Sequence, residues 1–154
     1  MSQAANDSGF SEAQERALAC VLDEIIPPSE DGRFPGAGEL GLVSYVRKQA
    51  VDLVPMIVQG LTSLDELALA RGAADFATLP RSERRGVLEE LAAREAGFLP
   101  LLLFHTFSGY YQQPPVLEAL GLEARPPFPE GHEIEPNDHS LLDPVRARGP
   151  VYRF

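Results

Sequence analysis

Cysteine is nearly missing from these 154 residues: Cys20 stands alone, which excludes an internal disulfide and a cysteine-rich zinc site. It falls on the apolar side of an expected helix and reads as a buried thiol rather than a reactive one. Basic residues are scarce as well. Thirteen Lys and Arg stand against 23 Asp and Glu, a net charge of −10. That balance argues against nucleic acid, whose phosphates ask for basic patches, and against adsorption to anionic lipid. Residues 1–40 are the most lopsided, with eight acids against Arg16 and Arg33. A solvated helix face that keeps the chain soluble is the plain meaning, and steering of a basic partner is the other. The apolar run Phe98–Phe104 is far too short for the roughly 20 residues of a bilayer span, so no membrane-spanning segment is expected. Met1–Ser11 is polar and has no arginine pair. The chain as written therefore reads as cytoplasmic, or periplasmic if a partner carries it out.

Catalytic signatures are missing too. There is no Gly-x-Ser-x-Gly elbow, no His-Glu-x-x-His and no Cys-x-x-Cys-His haem attachment site, the short patterns that place a nucleophile, a metal or a haem. Gly36-Ala37-Gly38 follows Pro35 rather than a buried strand and completes neither nucleotide fingerprint. The adjacent acids Asp23-Glu24 and Glu89-Glu90 fall on helices, point in different directions and read as solvated charges. No catalytic, cofactor-binding or metal-ligating residue is assigned. Strand-like alternation, hairpin dipeptides and fixed-period repeats are absent as well.

What remains is helix. Ser11 and Gln14 form a capping box ahead of Leu18, Val21, Leu22 and Ile25, one helical face, predicting a helix over about Glu12–Ile26 stopped by Pro27-Pro28. Further helices are expected over about Ala37–Asp52, Pro55–Arg71 (closed by Gly72), Pro80–Glu95 and Gly97–Gly109, with Phe76 and Leu79 pinning a connector to the core. Glu90 and Arg94 have i, i+4 spacing, worth a few tenths of a kcal/mol. From Phe98 to Phe104 every residue is apolar, so this helix is expected to be central and buried on all sides. The short turn before it predicts that it packs antiparallel to its predecessor. Eight of the 14 prolines lie beyond Gln113. Apart from a short helix over about Pro115–Leu120, no periodicity is present there. The expectation is an all-α fold: a disordered N-terminus over 1–10, a bundle of about five helices over 11–121, and an extended Pro-rich strap over 122–154. Phe128, Ile134, Leu141, Leu142, Val145, Val151, Tyr152 and Phe154 would anchor the strap. A segment that folds only on a partner is the competing view.

Chemistry could hide in two places. His105 is expected as a satisfied core histidine within the central helix. His132 and His139 lie among acids, and with His105 they define an alternative reading, a small metal-binding protein or enzyme, since imidazole and carboxylate together suit zinc. Phe107, Tyr110 and Tyr111 cluster near the end of the central helix, where amphipathic aromatics serve either packing or a partner.

The order of elements resembles the gluconate 2-dehydrogenase subunit 3 family. The residues carrying the likeness are Leu22-Asp23-Glu24-Ile25-Ile26-Pro27, Phe34-Pro35-Gly36-Ala37, Gly60-Leu61, Leu64-Asp65 and Phe76-Ala77-Thr78-Leu79. They continue with Thr106, Gly109-Tyr110-Tyr111, Pro114 and Leu120-Gly121. The resemblance implies an all-helical, non-catalytic small subunit of a bacterial flavin-dependent sugar or polyol dehydrogenase. Its large partner, of the glucose–methanol–choline type, holds FAD and performs the oxidation, often beside a multihaem cytochrome c. No cofactor is implied for this chain. Many members carry a twin-arginine export signal; no arginine pair stands near Met1 here, which fits a cytoplasmic member, a partner that carries the signal, or a trimmed chain. The residues expected to meet the partner are Phe104, His105, Phe107, Tyr110, Tyr111, Phe128 and Tyr152. This reading predicts a contiguous exposed apolar patch. A free-standing interaction domain is the third possibility.

Overall fold

The structure, a computed structural model, describes residues 9–125, 131 and 135–148, and every regular element among them is helical. Helix α1 (Glu12–Ile25) begins at the capping box. The Ser11 hydroxyl accepts the Gln14 N–H at 3.3 Å, and the Gln14 side chain accepts the Ser11 N–H at 2.9 Å. Its Ala17, Leu18, Val21 and Leu22 form the buried stripe. Phe10, just before the cap, packs against the core with the Arg47 guanidinium 5.9 Å from its ring centre.

Helix α2 (Leu42–Gln49) is shorter than its pattern predicts. Residues 36–38 are drawn onto α1 instead, because the Ala37 N–H donates to the Ile26 carbonyl at 2.9 Å and the Gly38 N–H to the Asp23 carboxylate at 2.7 Å. Gly41 then turns the chain at φ 67°, a conformation easy only for glycine. A 3₁₀ turn, Val51–Leu53, leads into α3 (Val54–Ala70), which ends at Gly72 in the left-handed conformation, as the sequence leads one to expect. The stretch Val51–Ala70 is long and apolar enough to cross a membrane. In this fold its Ile57, Leu61, Leu64 and Ala68 are a wall of the core.

Phe76–Thr78 forms a 3₁₀ turn, with Phe76 and Leu79 buried as expected. Helix α4 (Arg81–Arg94) turns Val87, Leu88 and Leu91 inward, and Glu90 bridges Arg94 and Arg71 on its outer side. Helix α5 (Phe98–Tyr110) and the short α6 (Pro114–Ala119) complete this unit. The expected α4–α5 pairing is not the principal contact: α4 packs chiefly on α3, and α5 chiefly on α2. Notches, rather than the short turn, choose α5's neighbours. Gly60 on α3 leaves room for the Phe98 ring, and Gly109 lets Tyr45 and Leu42 of α2 come close.

The chain divides into two compact units, Met1–Ala124 and Arg125–Phe154. In the second, Asp138 caps a 3₁₀ turn (His139–Leu142) by accepting from the Ser140 N–H and hydroxyl, and the turn runs into α7 (Asp143–Ala147). The sequence reading has no helix there, since five residues are too few for a period to register. Leu141, Leu142 and Val145, expected as strap anchors, are exposed. Phe128, Ile134, Val151, Tyr152 and Phe154 lie outside the described residues.

Candidate partner-docking face

Helix α5 is split lengthwise. Phe98, Leu102, His105, Thr106, Gly109 and Tyr110 face inward, and three of them are held there by distinct devices. The Phe98 ring occupies the space a side chain at Gly60 would need. The Thr106 hydroxyl donates to the Leu102 carbonyl at 2.6 Å, so a polar group is buried without an orphaned donor. The Tyr110 hydroxyl donates to the Pro35 carbonyl at 2.9 Å, tying the end of α5 to the Pro-Gly loop, and burial pushes the phenol pKa upward.

The opposite face is open. Phe104 is 69% exposed, Tyr111 50% and Phe107 45%, with Leu103 beside them. The Phe107 and Tyr111 rings stack at 6.3 Å and 15°, and Tyr110 meets Tyr111 edge-on at 5.3 Å. The expectation of a helix buried on all sides is thus corrected. Packing at the two glycine notches commits one side of α5 and leaves the other in water. No Asp, Glu, Lys or Arg occurs from Ala96 to Leu117, so α5 itself contributes no formal charge to this face.

Of the residues expected to meet a partner, Phe104, Phe107 and Tyr111 lie on the exposed face. His105 and Tyr110 are buried, with the His105 ring edge-on to Phe104 at 5.3 Å. Phe128 and Tyr152 lie outside the described residues, as does His132. His139 is exposed in the 3₁₀ turn of the second unit. Among the described residues no group of three or more His, Cys, Asp or Glu side chains is placed to hold a metal ion. Cys20 is half-buried against the core, and desolvation raises its thiol pKa against the opposing field of Arg84.

Asp23 and Glu24 were not legible as what they are. Read as solvated charges, they are instead drawn into the fold. Asp23 is half-buried, accepting the Gly38 N–H, and a Cβ at either Gly36 or Gly38 would collide with its carboxylate. Only 12% of the Glu24 side chain is exposed, 3.7 Å from Arg81. The two glycines that looked like a fragment of a phosphate loop therefore serve a close approach to a carboxylate. A signal existed in Gly-Ala-Gly after a Pro-rich loop, but nothing in the sequence says which side chain it closes on.

Burial raises the Asp23 pKa above its usual 3.8, more than the Gly38 N–H lowers it. A carboxyl raised on folding adds stability below its unfolded pKa, and that contribution is lost as pH rises through the folded value. Asp23→Asn retains an acceptor for Gly38 and removes the titration. Its urea midpoint relative to the parent chain is expected to rise between pH 4 and pH 7. A constant difference across that range would show that Asp23 does not titrate differently on folding.

The described helical unit thus sets a packed inner face of α5 against an exposed aromatic outer face. Residues 12–125 match the family described as gluconate 2-dehydrogenase subunit 3, and the chain belongs to that family. Comparison with curated proteins and with solved structures gives no match. Much of the likeness noted in the sequence coincides with these latches: Asp23 with the Gly36 loop, Pro35 with Tyr110, and Asp65, whose carboxylate accepts the Phe76 N–H at 2.9 Å.

Proposed function

We propose that this chain is a non-catalytic accessory subunit that binds and stabilises a large FAD-dependent sugar dehydrogenase of the glucose–methanol–choline type, and that it docks through the outer face of α5. The observation that carries the proposal is the uncharged strip of Phe104, Phe107 and Tyr111, exposed in a chain that belongs to a dehydrogenase-subunit family. Aromatic side chains standing in water at such a density are what interface centres use. FAD is assigned to the partner. In this chain the one glycine-rich loop is already closed on the Asp23 carboxylate, which would repel a phosphate. Residence follows the partner: cytoplasmic for the pair, or periplasmic if the large subunit or a leader exports both, with a cytochrome c as a further member of the complex.

The test is affinity capture of the tagged chain from its own host, read by flavin absorbance and by mass spectrometry. The expected product is a yellow complex containing one large oxidoreductase. Phe104→Glu with Tyr111→Glu, both at exposed positions, is expected to lower its yield at least about tenfold, the scale of losing two interface anchors, while helicity by circular dichroism is unchanged. A colourless solitary chain would discard the dehydrogenase partner. A yellow complex unaffected by the double variant would move the interface elsewhere.

A further inference from the structure

We infer that, when no large subunit is present, the outer face of α5 is covered by the same face of a second copy of this chain, in an antiparallel two-fold dimer. Three observations carry this beyond the subunit reading. The first is spacing. The exposed positions Pro100, Phe104, Phe107 and Tyr111 recur at intervals of four, three and four residues. That is the narrow seam by which one helix packs along another, rather than the wider stripe that sinks into a core.

The second is charge. Each copy carries −10 overall, so most of its surface repels a second copy. Ala96 to Leu117 carries no charged side chain, so two α5 faces meet without burying an unpaired ion. A two-fold axis crossing the seam places ring against ring, as a self-complementary patch requires.

The third is area. At their observed exposures, the three rings leave roughly 350 Å² in water. Leu103 and Pro100 flank them. Met56 of α3, itself partly exposed, has its sulfur 3.8 Å from where a Cβ on Gly97 would sit. Together the strip amounts to about 500 Å² per copy, or about 1,000 Å² for a pair, the lower bound of a specific interface. A dimer at that lower bound is a weak, concentration-dependent one. It also yields to a larger partner on the same face, so the two complexes exclude one another.

Sedimentation equilibrium of the full chain from about 5 to 500 μM tests the inference. The expected weight-average mass climbs from one chain to two across that range. Raising salt from about 50 to 500 mM is expected to strengthen association severalfold, because screening weakens the repulsion between acidic bodies. Phe104→Glu is expected to weaken association at least tenfold. Leu69→Glu, at an exposed apolar position on α3, is expected to leave it unchanged. A monomer at every concentration overturns the dimer, as does a dimer indifferent to Phe104→Glu. Neither result touches the dehydrogenase partner, whose capture is read separately.

Discussion

Gly60→Val is expected to be among the most damaging single substitutions in the helical unit, lowering its stability by about 3 kcal/mol or more, the upper end of overpacking costs. A Cβ at Gly60 would lie 2.2 Å from Cδ2 and 2.4 Å from Cε2 of Phe98, well inside the distance at which carbon atoms stop attracting one another. Phe98 is itself fully buried, so its ring has no free volume to retreat into and α5 must lift off α3. Valine adds two further methyl groups and a β-branch. Most domains hold only about 5–15 kcal/mol in reserve. Thermal melting followed by circular dichroism is expected to show a midpoint lower by at least about 10 °C. Phe98→Ala in the same chain supplies a compensating test, since the removed ring leaves the space the valine needs. The double variant is expected to be more stable than the sum of the two single losses implies. Strict additivity would show that the Gly60 notch does not set the seating of α5.

Phe76→Ala is expected to cost about 3–5 kcal/mol, the range for deleting a buried aromatic ring. Phe76 is fully buried on a 3₁₀ turn that packs against both α3 and α1. It is held at both ends: its N–H donates to Asp65 of α3, and the turn is capped by Asp75, which accepts the Thr78 N–H at 2.8 Å. These bonds fix the backbone, so the surroundings cannot easily collapse into the vacated space, and cavity cost adds to lost burial. Phe76→Leu leaves most of the volume filled and is expected to cost less than half as much. Urea denaturation with a common slope for all three chains is the measurement. If alanine and leucine cost the same, the ring's volume is not what the core uses.

These two positions also mark the boundary between what could be read and what could not. Phe76 was legible: an aromatic and a leucine spaced through a short connector between two amphipathic helices have nowhere to go but the core, and both are there. Gly60 was not. A glycine within an apolar helical pattern shows only that a side chain is missing, while the ring that occupies the space lies 38 positions further along the chain. Asp23 follows the same logic. Next to Glu24 on a helix it looks solvated until the Gly36–Gly38 loop, 13 residues later, folds back on it.

Local chemistry was enough for most of the helices and their ends, the shortened α2 and the short α7 excepted. The Ser11 capping box, the glycine stop at Gly72, the Pro27-Pro28 break and the 3.6-residue spacing of leucines and valines all act within one or two turns, so they are written where they work. The pattern also placed Leu18, Val21, Leu22, Val87, Leu88 and Leu91 inside. It could not choose which side of α5 would face water, because Phe98–Phe104 is apolar throughout and offers no polar residue to mark an outer face. Tertiary packing made that choice. Gly60 admits Phe98, Gly109 admits Tyr45 and Leu42, and Pro35 accepts the Tyr110 hydroxyl. Three contacts on one side of a helix fix its rotation, and rotation leaves Phe104, Phe107 and Tyr111 in water. Period and capping are properties of neighbours in the chain, whereas the exposed face of a uniformly apolar helix is a property of what packs behind it.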